Sequence, residues 1–226
     1  MPDHPASALD TSLAPGDTSR TSILSPPFRS TTLGMVSLVA LVAFEAMAIA
    51  AAMPTVARAL DGLPMYALAF GVTLATSVVG MVVGGQWSDR RGPAAPLWSG
   101  LACFVAGLLL AGFAVNMPML LAGRLLQGLG AGAISVTLFV LAGRCYPQAM
   151  RPRLFAAFSA AWVVPSLLGP ALSGWMVDTI GWRWVFLAVP LAALPAAWML
   201  QPALRGLRGQ ADAEATSAHR WRALWA

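Results

Sequence analysis

A single carboxylate, Glu45, interrupts an apolar stretch that is long enough to cross a membrane. It lies about 12 residues into that stretch, or roughly 18 Å deep at the helical rise per residue. An acidic residue at the centre of a membrane helix costs about 2.5–3.5 kcal/mol, and such residues usually face the bundle interior or a water-filled cavity. Glu45 is therefore a candidate to carry a proton and, when ionised, to attract a cationic substrate. A fixed ion pair, with Arg124 as the partner, and a permanently protonated carboxyl group are the structural alternatives.

Arg124 and Gln127 lie in another apolar stretch, and Gly128 follows directly. Residues three apart share one face of a helix. Arg124 begins roughly six residues into its stretch, about 9 Å from the end. Its guanidinium therefore has two available directions. It either points into a bundle, where a buried charge needs a partner, or extends along the helix to reach the membrane surface.

A short polar loop, from Gly85 to Gly92, separates two of the apolar stretches. Asp89 and Arg90 supply opposite charges there, and Gly92 permits a tight turn that a residue with a Cβ atom resists. Gly85 is expected to allow a close helix contact at the end of the preceding stretch. An ordinary charged turn at a membrane surface would contain similar residues, so these properties alone do not define a function.

A further apolar stretch contains a group of small and helix-breaking residues, namely Gly169, Pro170, Ser173 and Gly174. Pro170 removes one helical hydrogen bond and is expected to kink the helix. Small residues four apart line one helix face and let neighbouring helices approach closely. Three such pairs occur: Gly80 with Gly84, Gly128 with Gly132, and Gly169 with Ser173. This spacing fits static packing and helices that slide against each other equally well.

These residues lie in or between six apolar stretches of membrane-spanning length. A helix needs roughly 20 apolar residues to cross a bilayer, and continuous apolarity excludes the alternating pattern of barrel strands. The predicted spans are Leu33–Met53, Tyr66–Gln86, Leu97–Val115, Pro118–Ala142, Leu154–Met176 and Trp184–Leu200. The sequence thus predicts an all-α membrane protein with one six-helix transmembrane domain over residues 33–200. Residues 1–32 are predicted to be a disordered tail, and residues 201–226 a polar tail or a truncated central loop.

The composition excludes most other classes of protein. Of the 226 residues, 58% are hydrophobic and 10% are charged, whereas soluble domains carry about 25% charged residues. The arginines are scattered between the spans and form no patch that could follow a phosphate backbone, so no nucleic-acid partner is expected. Cys103 and Cys145 lack metal-ligand spacing, and no nucleophile–base pair or nucleotide-binding loop is present. We expect no metal, no cofactor and no enzymatic activity.

Arginine placement predicts the orientation, since cytoplasmic loops carry an excess of positive charge. With a cytoplasmic N-terminus, Arg58 and Arg183 are the arginines of the outside loops, and Arg124 lies within a span. All other arginines fall on the inside: Arg20, Arg29, Arg90, Arg91, Arg144, Arg151, Arg153, Arg205, Arg208, Arg220 and Arg222. Both tails are therefore predicted to be cytoplasmic, with the domain in a plasma or inner membrane.

The loop between the second and third spans resembles motif A of the major facilitator superfamily of transporters, Gly-x-x-x-Asp-Arg-x-Gly. The matching residues are Gly85, Asp89, Arg90 and Gly92. The resemblance implies a latch that holds two halves of a transporter in the outward-facing state, with the acidic residue near a helix N-terminus of the other half. Trp87 stands in place of the usual Leu. Pro93 and Ala94 replace the usual basic pair, which weakens the basic part of the latch or moves it onto Arg91.

Two helical motifs extend the resemblance. Arg124, followed by Gln127 and Gly128, resembles motif B, whose arginine is tied to proton coupling in the superfamily. The segment from Gly169 to Gly174 resembles motif C, which is typical of members that export drugs in exchange for protons. In this segment Ser173 stands in place of a glycine.

The resemblance implies the first six-helix half of a major facilitator fold, a 3+3 inverted repeat with the substrate site between two such halves. The implied activity is efflux of drugs or other small hydrophobic compounds by antiport, driven by a proton gradient. Glu45, Arg124 and Gln127 would bind protons or substrate. A metabolite-uptake symporter and a non-transporting six-helix membrane scaffold are the alternatives.

The expected partners are the lipid bilayer, protons, a small-molecule substrate, and either a second six-helix half or a second copy of this chain. Three accounts of the six-helix length are open: a truncated or frameshifted product, one half of a two-gene transporter, or a self-associating chain. Truncation is favoured because the latch loop needs a partner helix.

Overall fold

The computed structural model describes residues 22–206, and all regular structure in that range is helical. Six helices follow one another, with short 3₁₀ turns at Leu63–Met65 and Gln148–Met150. The helices are α1 (Pro26–Ala59), α2 (Tyr66–Arg91), α3 (Ala94–Gly112), α4 (Met117–Cys145), α5 (Arg151–Thr179) and α6 (Arg183–Trp198). This confirms the predicted all-α six-helix bundle.

Five helices, α1 to α5, are long and apolar enough to cross a membrane. The sixth has 16 residues, or about 24 Å, which is less than the ~30 Å hydrocarbon layer. It ends at Trp198, two residues before the predicted limit, because Pro202 has no N–H to donate to the Trp198 carbonyl. After a turn at Met199–Leu200 the chain is helical again over residues 201–206. The sixth helix is therefore followed by a second, short helical piece.

Helix α1 begins at Pro26, so the prediction of a disordered tail up to residue 32 is wrong for residues 26–32. Proline fits the first helical turn, where no backbone N–H is needed. Thr32 Oγ1 lies 2.6 Å from the Tyr146 hydroxyl, and the rings of Phe28 and Tyr146 are 5.0 Å apart. Composition cannot predict a contact with a residue so distant in sequence. The rest of both predicted tails, residues 1–21 and 207–226, lies outside the described residues.

The contacts between helices repeat in the two halves of the bundle. Helix α1 packs on α5 and α6, and α4 packs in the same way on α2 and α3. Exchanging the first three helices with the last three converts one set of contacts into the other, and the contact of α3 with α6 is unchanged by the exchange. Because consecutive spans cross the membrane in opposite directions, this is the contact pattern of the predicted 3+3 inverted repeat.

Helix α4 lies between α2 and α3 because glycines on two of its faces let both helices approach closely. A Cβ atom added at Gly128 or Gly132 would collide with α2, and one at Gly123 or Gly130 would collide with the backbone of α3. Close packing of small residues is the main attraction between helices in lipid. The glycine pairs predicted in α2 and α4 face each other across this contact.

The packed interior lies where α1, α3, α4 and α6 meet. Met53 of α1, Phe104 of α3, Leu120 of α4 and Phe186 of α6 are all buried there. Helices α2 and α5 are less enclosed. Over the most apolar 18 residues of each helix, 17% of α2 and 28% of α5 are buried, against 39% in α1 and 50% in both α3 and α4. The two exposed helices occupy equivalent positions in the repeat.

Replacing Gly132 with alanine should destabilise the bundle, because the new methyl group would overlap the Ser77 carbonyl of α2. Overpacking of this kind costs about 1–3 kcal/mol. Gly143→Ala is a matched control in the same helix, since no neighbouring atom lies within 4 Å of the added Cβ. Thermal unfolding in detergent should give a lower midpoint for G132A and an unchanged or higher one for G143A. Equal midpoints would contradict the α2–α4 packing.

Candidate functional site

An ion pair joins α1 and α4 in the bundle interior. Arg124 Nη1 lies 2.9 Å from Glu45 Oε1, and the two side chains are 6% and 5% exposed. The same Nη1 donates to Gln127 Oε1 at 2.7 Å, and Gln127 is fully buried. Arg124 thus points inward and does not extend to the membrane surface. Three residues singled out in two separate apolar stretches form one cluster.

The backbone that carries this cluster is held by α2 and α3. Arg124 and Gln127 lie one helical turn apart, so both side chains share the same face of α4. Thr73 of α2 donates its hydroxyl to the Arg124 carbonyl at 3.3 Å. On the other side, a Cβ atom at Gly107 of α3 would collide with the Gln127 backbone. These contacts fix the turn from which the two side chains extend toward α1.

Two donors of the cluster have no acceptor. Arg124 Nε and Gln127 Nε2 are buried and make no hydrogen bond within the described residues. A buried donor without an acceptor costs about 1–3 kcal/mol, so these groups favour a water molecule or a polar ligand atom beside them. The cluster therefore combines a carboxylate that can accept a proton, a permanent cation and two free donors.

The first part of the α5 motif lies against the turn of α1 that follows Glu45. Ser173 Oγ donates to the Ala48 carbonyl at 2.6 Å, and this contact is buried. A Cβ atom at Gly169 would lie 3.1 Å from Met47 Cβ, which is closer than an ordinary contact. Gly169 and Ser173 therefore let α5 approach α1 next to the ion pair.

The other residues of the α5 motif do not contribute to this approach. Among the described residues, no atom lies within 4 Å of a Cβ built at Gly174, so this glycine does not mediate a close helix contact there. Pro170 lies on the exposed side of α5. Its missing N–H leaves the Ser166 carbonyl without its helical donor, but α5 continues as one helix through both Pro165 and Pro170.

The loop between α2 and α3 is closed by a glycine and by an arginine from α4. Gly92 has φ 79° and ψ 168°, a region essentially restricted to glycine, which confirms the predicted tight turn. The Gly92 N–H donates to the Ser88 carbonyl at 3.0 Å, and Arg144 Nη2 donates to the same oxygen at 3.2 Å. The sequence marks Arg144 only as a topology signal. Its bond to Ser88 depends on the packing of α2 against α4, for which a single sequence has no signal.

The charged residues of this loop are exposed. Neither Asp89 nor Arg90 makes a hydrogen bond or ion pair with the described residues. The close contact expected of Gly85 is wrong, since a Cβ atom there would lie 3.7 Å from Val136, an ordinary distance. Gly84 makes the close contact instead, because a Cβ atom built there would lie 3.0 Å from the Cα atom of Ala133. Gly84 faces α4, and Gly85 is rotated away from it.

Potential metal ligands do not gather in the described part of the chain. Within residues 22–206, no group of three or more His, Cys, Asp or Glu side chains could hold a metal ion. The chemistry that these residues do assemble is acid–base and hydrogen-bonding chemistry at the Glu45–Arg124–Gln127 cluster.

An inverted repeat of membrane helices around a buried ion pair is the architecture of a transporter half. The sequence profile of the Major Facilitator Superfamily matches residues 35–226, and the chain belongs to this superfamily. An uncharacterized MFS-type transporter of Mycobacterium tuberculosis (strain ATCC 25618 / H37Rv) is 36% identical over 156 residues, which are 68% of this chain and 23% of that protein. The multidrug transporter protein MdtP of Bacillus subtilis (strain 168) is 30% identical over 169 residues, 74% of this chain and 30% of that protein.

A crystal structure of a D-xylose-proton symporter shares the fold. It superposes with a TM-score of 0.67 at 18% identity, over 84% of this chain and 52% of that chain. The likeness at this identity concerns the fold alone. The chain spans 23% and 30% of the two curated relatives, and it corresponds to one six-helix half of the fold.

Breaking the ion pair from its two sides should have unequal effects on stability. Glu45→Gln leaves the Arg124 guanidinium buried without its counter-charge, and a guanidinium cannot be deprotonated in a protein. We expect a loss of about 3–5 kcal/mol for this variant. Arg124→Gln leaves a carboxyl group that a proton can neutralise, so it should cost less. The double variant E45Q/R124Q removes both charges and should unfold at a higher temperature than E45Q.

Thermal unfolding of the wild type, both single variants and the double variant in detergent gives the coupling between the two sites. If the two losses simply added in the double variant, the ion pair would not be the link between α1 and α4.

Proposed function

We propose that the chain forms the N-terminal half of a proton-coupled exporter of drugs or other small hydrophobic compounds. The observation that carries this proposal is the buried Glu45–Arg124–Gln127 cluster, with Ser173 of α5 bonded to the adjacent turn of α1. The names of two Bacillus subtilis relatives, multidrug transporter protein MdtP and multidrug resistance protein 3, support the class of substrate.

Protonation of Glu45 is the proposed coupling step. While the carboxylate is ionised, Arg124 bridges α1 and α4. A proton on Glu45 removes the negative charge, so Arg124 retains Gln127 as its partner and the link to α1 weakens. Helices α1 and α4 make few other contacts. The protonation state of Glu45 therefore controls how firmly the group of α1, α5 and α6 is held to the group of α2, α3 and α4.

Exchange of a substrate for a proton follows if both bind to the same carboxylate, Glu45, one at a time. A cationic substrate beside the ionised Glu45 is attracted by its charge. Protonation removes that attraction and releases the substrate, so the proton and the cation do not occupy the site together. The free donors Arg124 Nε and Gln127 Nε2 bind the water that brings the proton, or a polar atom of the substrate.

In the proposed mechanism, a movement of helix α5 is transmitted to α1 next to Glu45. Its Ser173 and Gly169 contact α1 within one turn of Glu45. A movement of α5 against α1 would therefore change the position of the carboxylate relative to Arg124. On the α5 side of this contact the residues are small, which lets the two helices approach closely.

The second half of the transporter is proposed to pack on α2 and α5, the two least enclosed of the long helices. Large apolar side chains of α5, among them Trp162, Leu167 and Trp175, are exposed. Asp89 and Arg90, at the end of α2, have no partner among the described residues and are available as the latch. A second copy of this chain is the alternative occupant of this surface.

Both termini are proposed to be cytoplasmic. The helix ends that flank the α2–α3 and α4–α5 connections lie at one end of the bundle and carry five arginines, namely Arg90, Arg91, Arg144, Arg151 and Arg153. Arg58 and Arg183 lie at helix ends on the other side. The positive-inside rule assigns the arginine-rich end to the cytoplasm. Green fluorescent protein fused after the last residue should fluoresce, and alkaline phosphatase fused there should be inactive. The reverse result would overturn the orientation.

Export should depend on Glu45. The chain is expressed with the DNA that follows its last codon, in a bacterium that lacks its own drug exporters, and efflux of the hydrophobic cation ethidium is measured. Glu45→Gln should reduce efflux to the level of cells without the protein, because the site can no longer take up a proton. Asp178→Asn removes an exposed carboxylate at the far end of α5 and should leave efflux unchanged.

The double variant E45Q/R124Q separates loss of coupling from loss of folding, since it should regain stability and still not export. Efflux by E45Q at the wild-type rate, at equal amounts of inserted protein, would refute the role of Glu45. Efflux that a protonophore does not stop would exclude proton coupling. Accumulation of the probe would favour the uptake symporter.

A further inference from the structure

A cavity of about 470 Å³ lies where α1 faces α5 and α6. Helix α1 packs on both of these helices, whereas α5 and α6 make few contacts with each other. The cavity is the gap that remains between α5 and α6 over α1. Its volume is within the range of about 300–1,000 Å³ that is usual for sites of drug-sized ligands. Glu45, Arg124 and Gln127 do not line it, so the cavity is separate from the ion-pair cluster.

Close contacts of α1 limit the cavity in both directions along the helix. Before the cavity, a Cβ atom built at Gly34 would lie 2.9 Å from the Ala196 carbonyl oxygen of α6. After it, a Cβ atom built at Gly169 of α5 would lie 3.1 Å from Met47 Cβ. Between these contacts, the α1 wall extends from Ser37 to Phe44, or about 10 Å at the helical rise per residue. The cavity is therefore a recess of limited length between packed helices.

Two prolines on the wall of the cavity leave backbone carbonyls without their helical donors. Pro165 of α5 and Pro195 of α6 line the cavity, and each lies inside its helix. A proline has no N–H, so the carbonyls of Ala161 and Leu191, one turn earlier, lose the donor that an α-helix supplies. Residues four apart share one helix face, so both carbonyls lie on the side of the cavity. An apolar surrounding favours a hydrogen-bond donor beside each of them.

The remaining described residues of the wall are uncharged. The Ser37 hydroxyl has no hydrogen-bond partner among the described residues, although Ser159 and Ser166 of α5 donate to carbonyls of their own helix. Phe44 adds an aromatic ring to the wall, and the face of such a ring attracts a cation. Free acceptors, an aromatic ring and the lack of a positive side chain on the described wall favour a cation with an N–H group over an anion.

We infer that this cavity binds a hydrophobic amine in its ammonium form, with the N–H donating to a carbonyl that Pro165 or Pro195 leaves free. Hydrogen bonds from a charged donor are stronger than those between neutral groups. A neutral apolar compound would fill the volume and leave the acceptors unpaired, and a quaternary ammonium ion would bring the charge without a donor. The site lies within one six-helix half and does not depend on the proposed transport activity.

Equilibrium dialysis of the whole chain in detergent tests the site with two matched probes. Imipramine is a hydrophobic tertiary amine that is protonated at neutral pH. Its N-methylated quaternary derivative has the same rings and the same charge but no N–H. The chain should bind imipramine about tenfold more tightly than the derivative, because only imipramine can donate to a carbonyl. Micelles without protein give the background for both probes.

Filling the cavity tests where the probes bind. Ala192→Phe adds a ring to the α6 wall and should reduce binding of both probes to the background. Ala160→Phe adds the same ring to an exposed alanine of α5 that does not line the cavity, and it should not change binding. Ala192 is itself exposed, so A192F is expected to fold. If its thermal unfolding shows otherwise, Ala40→Leu fills the cavity from α1.

Restoring the helical donors tests the acceptors. Pro165→Ala combined with Pro195→Ala supplies an N–H group to each freed carbonyl, so the preference for imipramine over the quaternary derivative should disappear. Pro190→Ala removes a proline of α6 that does not line the cavity, and it should leave the preference unchanged. E45Q/R124Q should bind imipramine like the wild type, although it is not expected to export. Binding at this site and export can therefore fail separately.

Four results would overturn the inference. Equal affinity of the wild type for the two probes would mean that no N–H is recognised. Wild-type binding by folded A192F would place the amine outside the cavity. An unchanged preference in P165A/P195A, or an equal loss in P190A, would exclude the freed carbonyls as the acceptors. Loss of binding in folded E45Q/R124Q would place the amine at the ion pair.

Discussion

The ion pair between Glu45 and Arg124 constrains how α1 and α4 meet in the bundle interior. Charges inside a membrane protein are tolerated when they are paired and shielded from lipid, so these two helices must present the two residues to each other at one depth. Helix α1 packs in one group with α5 and α6, and α4 packs in another with α2 and α3. The pair therefore fixes the relation between two three-helix groups that otherwise touch mainly through α3 and α6. One partner can be neutralised by a proton and the other cannot, so the constraint is also a point at which the structure can change.

The two three-helix groups, one around α4 and the other around α1, are packed differently. Around α4, glycines contact the backbones of α2 and α3 directly, and the Arg124–Gln127 turn is held from both sides. Around α1, Gly34 lies against the Ala196 carbonyl of α6, and Gly169 and Ser173 of α5 lie against α1. A cavity of about 470 Å³ lies between α1, α5 and α6. The group around α1 is therefore held by fewer direct contacts between a glycine and a backbone than the group around α4.

Three arginines near helix ends donate hydrogen bonds to backbone carbonyls of neighbouring segments. Arg144 donates to the Ser88 carbonyl at the end of α2, Arg151 to the Gly143 carbonyl at the end of α4, and Arg183 to the Ala114 carbonyl after α3. Carbonyl groups at helix C-termini carry a partial negative charge and attract positive charge. These three arginines therefore also close the ends of neighbouring helices by hydrogen bonds. Each such bond depends on which helices are neighbours.

The sequence by itself determined the helical class, the six crossings and the residues worth attention. A backbone in lipid must satisfy its own hydrogen bonds, so about 20 apolar residues are enough to specify a span. Glu45 and Arg124 were recognisable because they violate that apolar pattern. Gly92 was recognisable because a short turn between two spans favours glycine. These signals are local, and no distant contact is needed to read them.

Only the tertiary structure determined which helices are neighbours and which face of each helix is turned toward its neighbour. Arg124 had an inward and an outward direction available, and only the position of Glu45 on α1 selected the first. Gly84, and not Gly85, makes the close approach to α4, since one residue along a helix is a rotation of about 100°. The start of α1 at Pro26 likewise depends on Tyr146, which follows far later in the chain. The rotation of each helix about its axis is set by packing against helices that are distant in sequence. Local composition therefore cannot predict it.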